Sequence, residues 1–162
     1  MTNAELLSEI RAELPRRTLA SFDHADARRI GAAAAAIAER DGLTLVIRVT
    51  RGRQCVYHAA FAGTTAEHDD WVRRKINTAL EHEVPSLEFV LRLELGGQPP
   101  SWLDPLEYAV AGGAVPIVVD GNVVGAIAVS GLVGSMREDH DLAMAALDAV
   151  RAVPPTGGAA AV

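Results

Sequence analysis

Trp71, Lys75, Thr78 and His82 recur at helical spacing, with Arg74 beside them. Residues three and four apart share one face of a helix, so these side chains form a stripe beside the apolar Val72, Ile76 and Ala79. An indole flanked by an ammonium and a guanidinium suits a flat anionic ligand: the ring stacks on it, and the cations neutralise its acidic groups. A half-buried Trp with a Lys reaching toward the rim explains the same stripe without any ligand.

A second candidate surface lies near the C-terminal end. Gly112-Gly113-Ala114-Val115-Pro116 leads into a strand, and Ala126, Ala128 and Ser130 share one side of the strand after it. Such a floor carries little side-chain bulk, and paired glycines leave backbone amides free for a ligand. Equally, the Ala-rich helix near residues 23–40 would pack on that floor. Gly113, Pro116 and Ser130 are the residues expected to shape it.

The remaining reactive side chains are scattered. His24, His58, His68, His82 and His140 include no close metal-ligand pair, so no metal site is expected. Ser130 with His140 as its base has the residue types of a nucleophile pair, without the full nucleophile-elbow motif. Lys75 or His140 would be the acid–base group of a small-molecule enzyme. No phosphate-binding loop, dinucleotide glycine pattern or zinc-protease motif occurs, so no catalytic residue is assigned. Gly131-Leu132-Val133-Gly134 has the spacing of an RNA-clamping loop but lacks a basic setting.

These residues must be positioned by recognisable elements. Thr2/Glu5, Thr64/Glu67 and Ser135/Glu138 have capping-box spacing, and Asp23 opens a further helix. Helices are expected at 2–13, 23–40, 65–83, 86–94 and 136–151. Alternation predicts strands at 43–49 and 54–61, with Cys55, Tyr57, Ala59 and Phe61 on one side. Val115–Val119 and Val123–Val129 flank Asp120-Gly121-Asn122, a hairpin turn. A short edge strand at 18–22 completes a five-stranded antiparallel sheet, giving an α/β (α+β) domain with three α/β/α layers. Residues 1–152 form one domain with 1–17 as an appended helix, and 153–162 read as a disordered tail.

The totals narrow the function classes. The chain has 162 residues and a formal charge of −6, which disfavours nucleic acid as a general partner. Cys55 is the single cysteine, so there is no internal disulfide, and no apolar run approaches the length of a membrane span. The expectation is therefore a cytoplasmic protein that does not contact membranes.

Three separated segments together resemble a known family. Gly112 to Ile117 followed by Asp120 to Gly131 looks like the C-terminal hairpin of the GlcG/HbpS-like, or haem-degrading-domain, proteins. Gly63-Thr64-Thr65 with Trp71 to Lys75, and Glu138-Asp139-His140, resemble its cytoplasmic uncharacterised branch. The likeness covers residues 18–150 and implies a profilin-like fold, assembly as a homo-oligomer, and haem or another tetrapyrrole as ligand. The leading expectation is thus an oligomeric small-ligand-binding protein using Trp71, Arg74, Lys75, Thr78, Gly112, Gly113, Pro116, Ser130 and His140. The alternatives are the Lys75 or His140 enzyme, and an oligomeric accessory protein with no pocket.

Overall fold

The computed structural model describes residues 1–153. Its elements are α1 (Asn3–Ala12), a 3-10 turn (Leu14–Arg17), α2 (His24–Asp41), β1 (Val46–Arg51), β2 (Gln54–Ala60), α3 (Ala66–His82), α4 (Ser86–Glu94), β3 (Ala114–Val119), β4 (Asn122–Ser130) and α5 (Met136–Ala152). The expected disordered tail lies outside the described residues, except for Val153.

The sheet has four antiparallel strands in the order β2-β1-β4-β3, not five. The expected edge strand at 18–22 is reduced to one parallel bridge between Thr18 and Val118. Two neighbours leave it no room: the 3-10 turn ends at Arg17, and Asp23 already caps α2. The adjacent strand also contains Pro116, which lacks the N–H that a longer ladder would use.

Strand alternation sends side chains to two different cores. Ile47, Val49, Val115, Ile117, Ile127 and Val129 pack with Ala27, Ile30 and Ala34 of α2 and with Met144 and Leu147 of α5. On the opposite face Val46, Ala114, Ala126 and Ala128 meet Val72, Ile76 and Ala79 of α3. The small-residue floor is therefore covered by α3, whereas the Ala-rich α2 lies on the other face. Methyl-sized side chains let α3 approach the sheet closely, and this brings its long polar side chains within reach of strand carbonyls.

The cap of α3 falls one residue later than expected, at Thr65, while Thr64 donates its hydroxyl to the carbonyl of Phe61 at 2.7 Å. A register shift between Val49 and Thr50 pairs Thr50 with Cys55 and Val49 with Tyr57. This bulge separates Cys55 from Tyr57: Tyr57 and Phe61 pack on the α2 side, and Cys55 turns beneath α3. At the N-terminus, Ile10 of α1 packs with Leu87 and Leu91 of α4 in a third cluster.

Candidate functional site: a cleft between α3 and the β4–α5 loop

Positions 68, 71 and 75 fall on one face of α3, and that face looks onto the end of β4 and the start of α5. The resulting cleft has a volume of about 380 Å³ and is lined by His68, Trp71, Lys75, Gly112, Ser130 and Asp139. Leu132, Val133 and Met136 add apolar surface at its loop side. The volume falls within the range of small-molecule sites.

The floor of the cleft is an ion pair. Lys75, only 3% exposed, donates from Nζ to Asp139 Oδ2 at 2.9 Å and to the carbonyl of Val129 at 3.0 Å. These two bonds use two of the three protons an ammonium carries. Asp139 Oδ1 accepts from the backbone N–H of Leu132 at 3.1 Å, which ties the β4–α5 loop to the pair. Burial pushes the Lys75 ammonium below its ordinary range, and the Asp139 charge and hydrogen bond only partly oppose this. Burial likewise raises Asp139 above the usual carboxylate range, against the Lys75 charge and the Leu132 amide. Both groups are thus held closer to their neutral forms, as is common where protons or charges are handled.

Gly113 makes this pair possible. Its φ of 123° is disfavoured for side chains, and a Cβ there would lie 2.5 Å from the Val129 carbonyl oxygen and 3.0 Å from Lys75 Nζ.

The other residues expected at the site take different places. Arg74 stacks its guanidinium 4.3 Å from the Trp71 ring centre and donates to the carbonyl of Pro105, so it stiffens the rim. Thr78 is buried beyond the cleft and donates to the carbonyl of Ala109 at 2.8 Å, with the carbonyl of Arg74 3.1 Å from the same hydroxyl. Pro116 lies within β3, where its carbonyl accepts from Arg17 at 3.2 Å. His140 is fully buried on another side of α5, with Nε2 2.7 Å from Glu13 Oε2. It therefore does not join Ser130 at the cleft.

Two cleft residues were not placed beside Trp71 and Lys75 by sequence reasoning. His68 sits one turn before Trp71 and extends the same stripe, a spacing that could have revealed it. Asp139 is 64 residues from Lys75 in sequence, and only the fold brings them together.

Residues 22–148 match the family described as "Haem degrading protein HbpS-like". A UPF0303 protein of Streptomyces avermitilis is 36% identical over 146 residues, covering 88% of each chain. Among solved structures, the Ybr137w protein superposes with a TM-score of 0.77 at 26% identity, over 88% of this chain and 86% of that one. The structure of a PduOC:Heme complex superposes with a TM-score of 0.69 at 19% identity, over 80% of this chain and 95% of that one.

Proposed function

We propose that this chain, which belongs to the HbpS-like family, binds a small flat anionic molecule in the α3 cleft. The observation that carries this reading is the buried Lys75, paired with Asp139 at the foot of a wall formed by Trp71. A planar acid would lay its ring along Trp71, Leu132 and Met136 and place a carboxylate at Lys75. Tetrapyrroles are the first compounds to test, because the family is described as haem degrading and the similar PduOC structure is a complex with heme.

The residues fit the ring and acidic groups of a haem better than its iron. His68 is the one imidazole on the cleft, and its Nδ1 accepts the backbone N–H of Thr65 at 3.1 Å. Ligating a metal through Nε2 would place the ring proton on Nδ1 and cost this hydrogen bond. His140 is taken by Glu13, His58 lies against Asp69, His82 stacks on Phe89, and His24 contacts Gln54. No step is therefore assigned to iron.

The test is a parallel titration with haemin and with metal-free protoporphyrin IX, followed by absorbance. Both are expected to saturate with dissociation constants within about threefold of each other. Trp71→Ala should weaken both by about three- to tenfold through loss of stacking. Saturation by haemin alone would show that iron ligation governs binding, contrary to this reading. If neither compound saturates, tetrapyrroles are not the ligand.

Self-association belongs to the same reading. Val133 at the mouth of the cleft is fully exposed and Met136 is 41% exposed, apolar surface that a second copy would cover. Sedimentation equilibrium giving the mass of a single chain would remove that part.

A further inference from the structure

Ser130 ends β4 on the face of the sheet that α3 covers. Val46 is its partner on β1, and Ala126 and Ala128 precede it on the same side. Those two alanines are fully buried under α3, whereas Ser130 lines the cleft beside Trp71. A third alanine would continue the floor, but this chain carries a hydroxyl there.

That hydroxyl differs from the other buried ones. Thr78 donates to the carbonyl of Ala109, and Ser86 Oγ accepts the backbone N–H of Ala114 at 3.0 Å. Thr50 Oγ1 has no partner and is sealed inside the protein. Ser130 is only 6% exposed, and among the described residues its Oγ has no hydrogen-bond partner, yet it is not sealed and opens onto the cleft. A buried hydroxyl without a protein partner is placed to bond what enters the space beside it.

Its neighbours decide the chemistry of the entering group. Val129, next in the chain, gives its carbonyl to Lys75, and the Lys75 and Asp139 charges match each other. Ser135 opens the 17-residue α5 at the cleft without a side-chain hydrogen bond, so the positive end of this helix is uncapped there. Glu138, the other acid of that turn, bends back to accept the N–H of Gly134 at 3.0 Å and stands outside the cleft wall. A hydroxyl proton beside the positive end of a helix favours an anionic oxygen.

We propose that Ser130 Oγ is the donor that holds the carboxylate of the cleft's ligand, beside the first turn of α5. The assignment rests on the reading of the cleft as a site for a flat acid, and it names the residue that selects for the acid. A hydroxyl bonds a carboxylate more strongly than the carbonyl of the corresponding ester, because the charge assists the bond. Trp71 holds the ring of either compound, so the two residues divide the work between acid group and plane.

Absorbance titrations of the full chain with protoporphyrin IX and with its dimethyl ester test the proposal, in the parent, Ser130→Ala and Trp71→Ala. Ser130→Ala is expected to weaken binding of the acid about tenfold, the scale of one lost hydrogen bond to a charged group, and to change the ester less than about threefold. Trp71→Ala should weaken both compounds alike. Ser130→Ala also continues the alanines at 126 and 128 and removes an unpaired hydroxyl, so without ligand it should unfold at or above the parent's temperature. A clearly lower midpoint would show that the hydroxyl serves the fold, contrary to the assignment. Saturation by the acid with equal affinity in parent and Ser130→Ala overturns the role of Ser130 and leaves the cleft reading standing. No saturation by either compound in the parent overturns the tetrapyrrole reading of the cleft, and the role of Ser130 falls with it.

Discussion

At the scale of single residues, the pair between Lys75 and Asp139 governs what the cleft can do. A buried pair broken on one side leaves the other charge uncompensated, typically at a cost of about 3–5 kcal/mol, whereas replacing both with apolar groups is often close to neutral. Lys75→Met alone should therefore destabilise the chain by about 3–5 kcal/mol, and adding Asp139→Leu should recover most of that loss. Urea denaturation of the parent, both single variants and the double variant checks this; additive losses would contradict it. The parent should also differ from the double variant in pH dependence. The folded Asp139 value lies above its ordinary 3.8, so the folded chain binds more protons in that window. Stability contributed by the pair then falls as pH rises from 3.8 through the folded value. The folded Lys75 value lies below its ordinary 10.5, so the unfolded chain binds more protons between the two values. There stability rises with pH up to 10.5. A flat difference between parent and double variant across both windows would show that burial does not shift these groups.

At the scale of elements, helix limits were more legible than their caps: the box read at Thr64 moves to Thr65, and Ser135 caps its helix without a side-chain hydrogen bond. Thr2 accepts from the Glu5 amide and Glu5 reaches back, as capping-box spacing implies, and the helix at 86–94 begins and ends as read. These signals are local, because each is satisfied within a few residues. What the sequence did not reveal depends on neighbours far along the chain. Residues 18–22 have strand-like composition, but Arg17 and Asp23 are committed to flanking structure. The choice of α3 over α2 for the alanine floor depends on which strand face each helix reaches. The stripe on α3 was visible as a stripe, yet periodicity alone could not divide it between a cleft at Trp71 and Lys75 and an internal tether at Thr78. Gly113 joins both levels, because its backbone conformation is local and its lack of a side chain matters only through Lys75 and Val129. Gly113→Ala should lower stability by at least about 2 kcal/mol, combining a disfavoured φ with a contact that must shift. Thermal unfolding with the parent as reference would detect it, and an unchanged midpoint would mean that β3 can move away from Lys75 at little cost.

At the scale of the whole molecule, the family match begins at residue 22, yet the preceding segment closes several buried surfaces. Ile10 is fully buried against Leu87 and Leu91, each 2% exposed. Arg11 pairs with Glu88 at 3.0 Å, whose side chain is 4% exposed, and Glu13 is the partner of the buried His140. Arg17 is buried and donates to the carbonyl of Pro116 in the edge strand. A segment that was merely appended would leave the rest of the domain indifferent to its loss. This one covers two leucines and supplies the hydrogen-bond partner of a buried imidazole, so we propose that it belongs to the folded unit. Ile10→Ala should cost about 2–5 kcal/mol, the range for truncating a buried aliphatic side chain. Deletion of residues 1–17 should cost more than Ile10→Ala, because it also exposes Leu87 and Leu91 and removes Glu13 from His140. Both variants can be compared by urea denaturation at equal protein concentration. If the deletion unfolds at the parent's midpoint, α1 is dispensable and the family-matching span alone sustains the fold. If it unfolds much earlier while Ile10→Ala lies between, the third cluster is a working part of the core, and ligand titrations belong on the full chain.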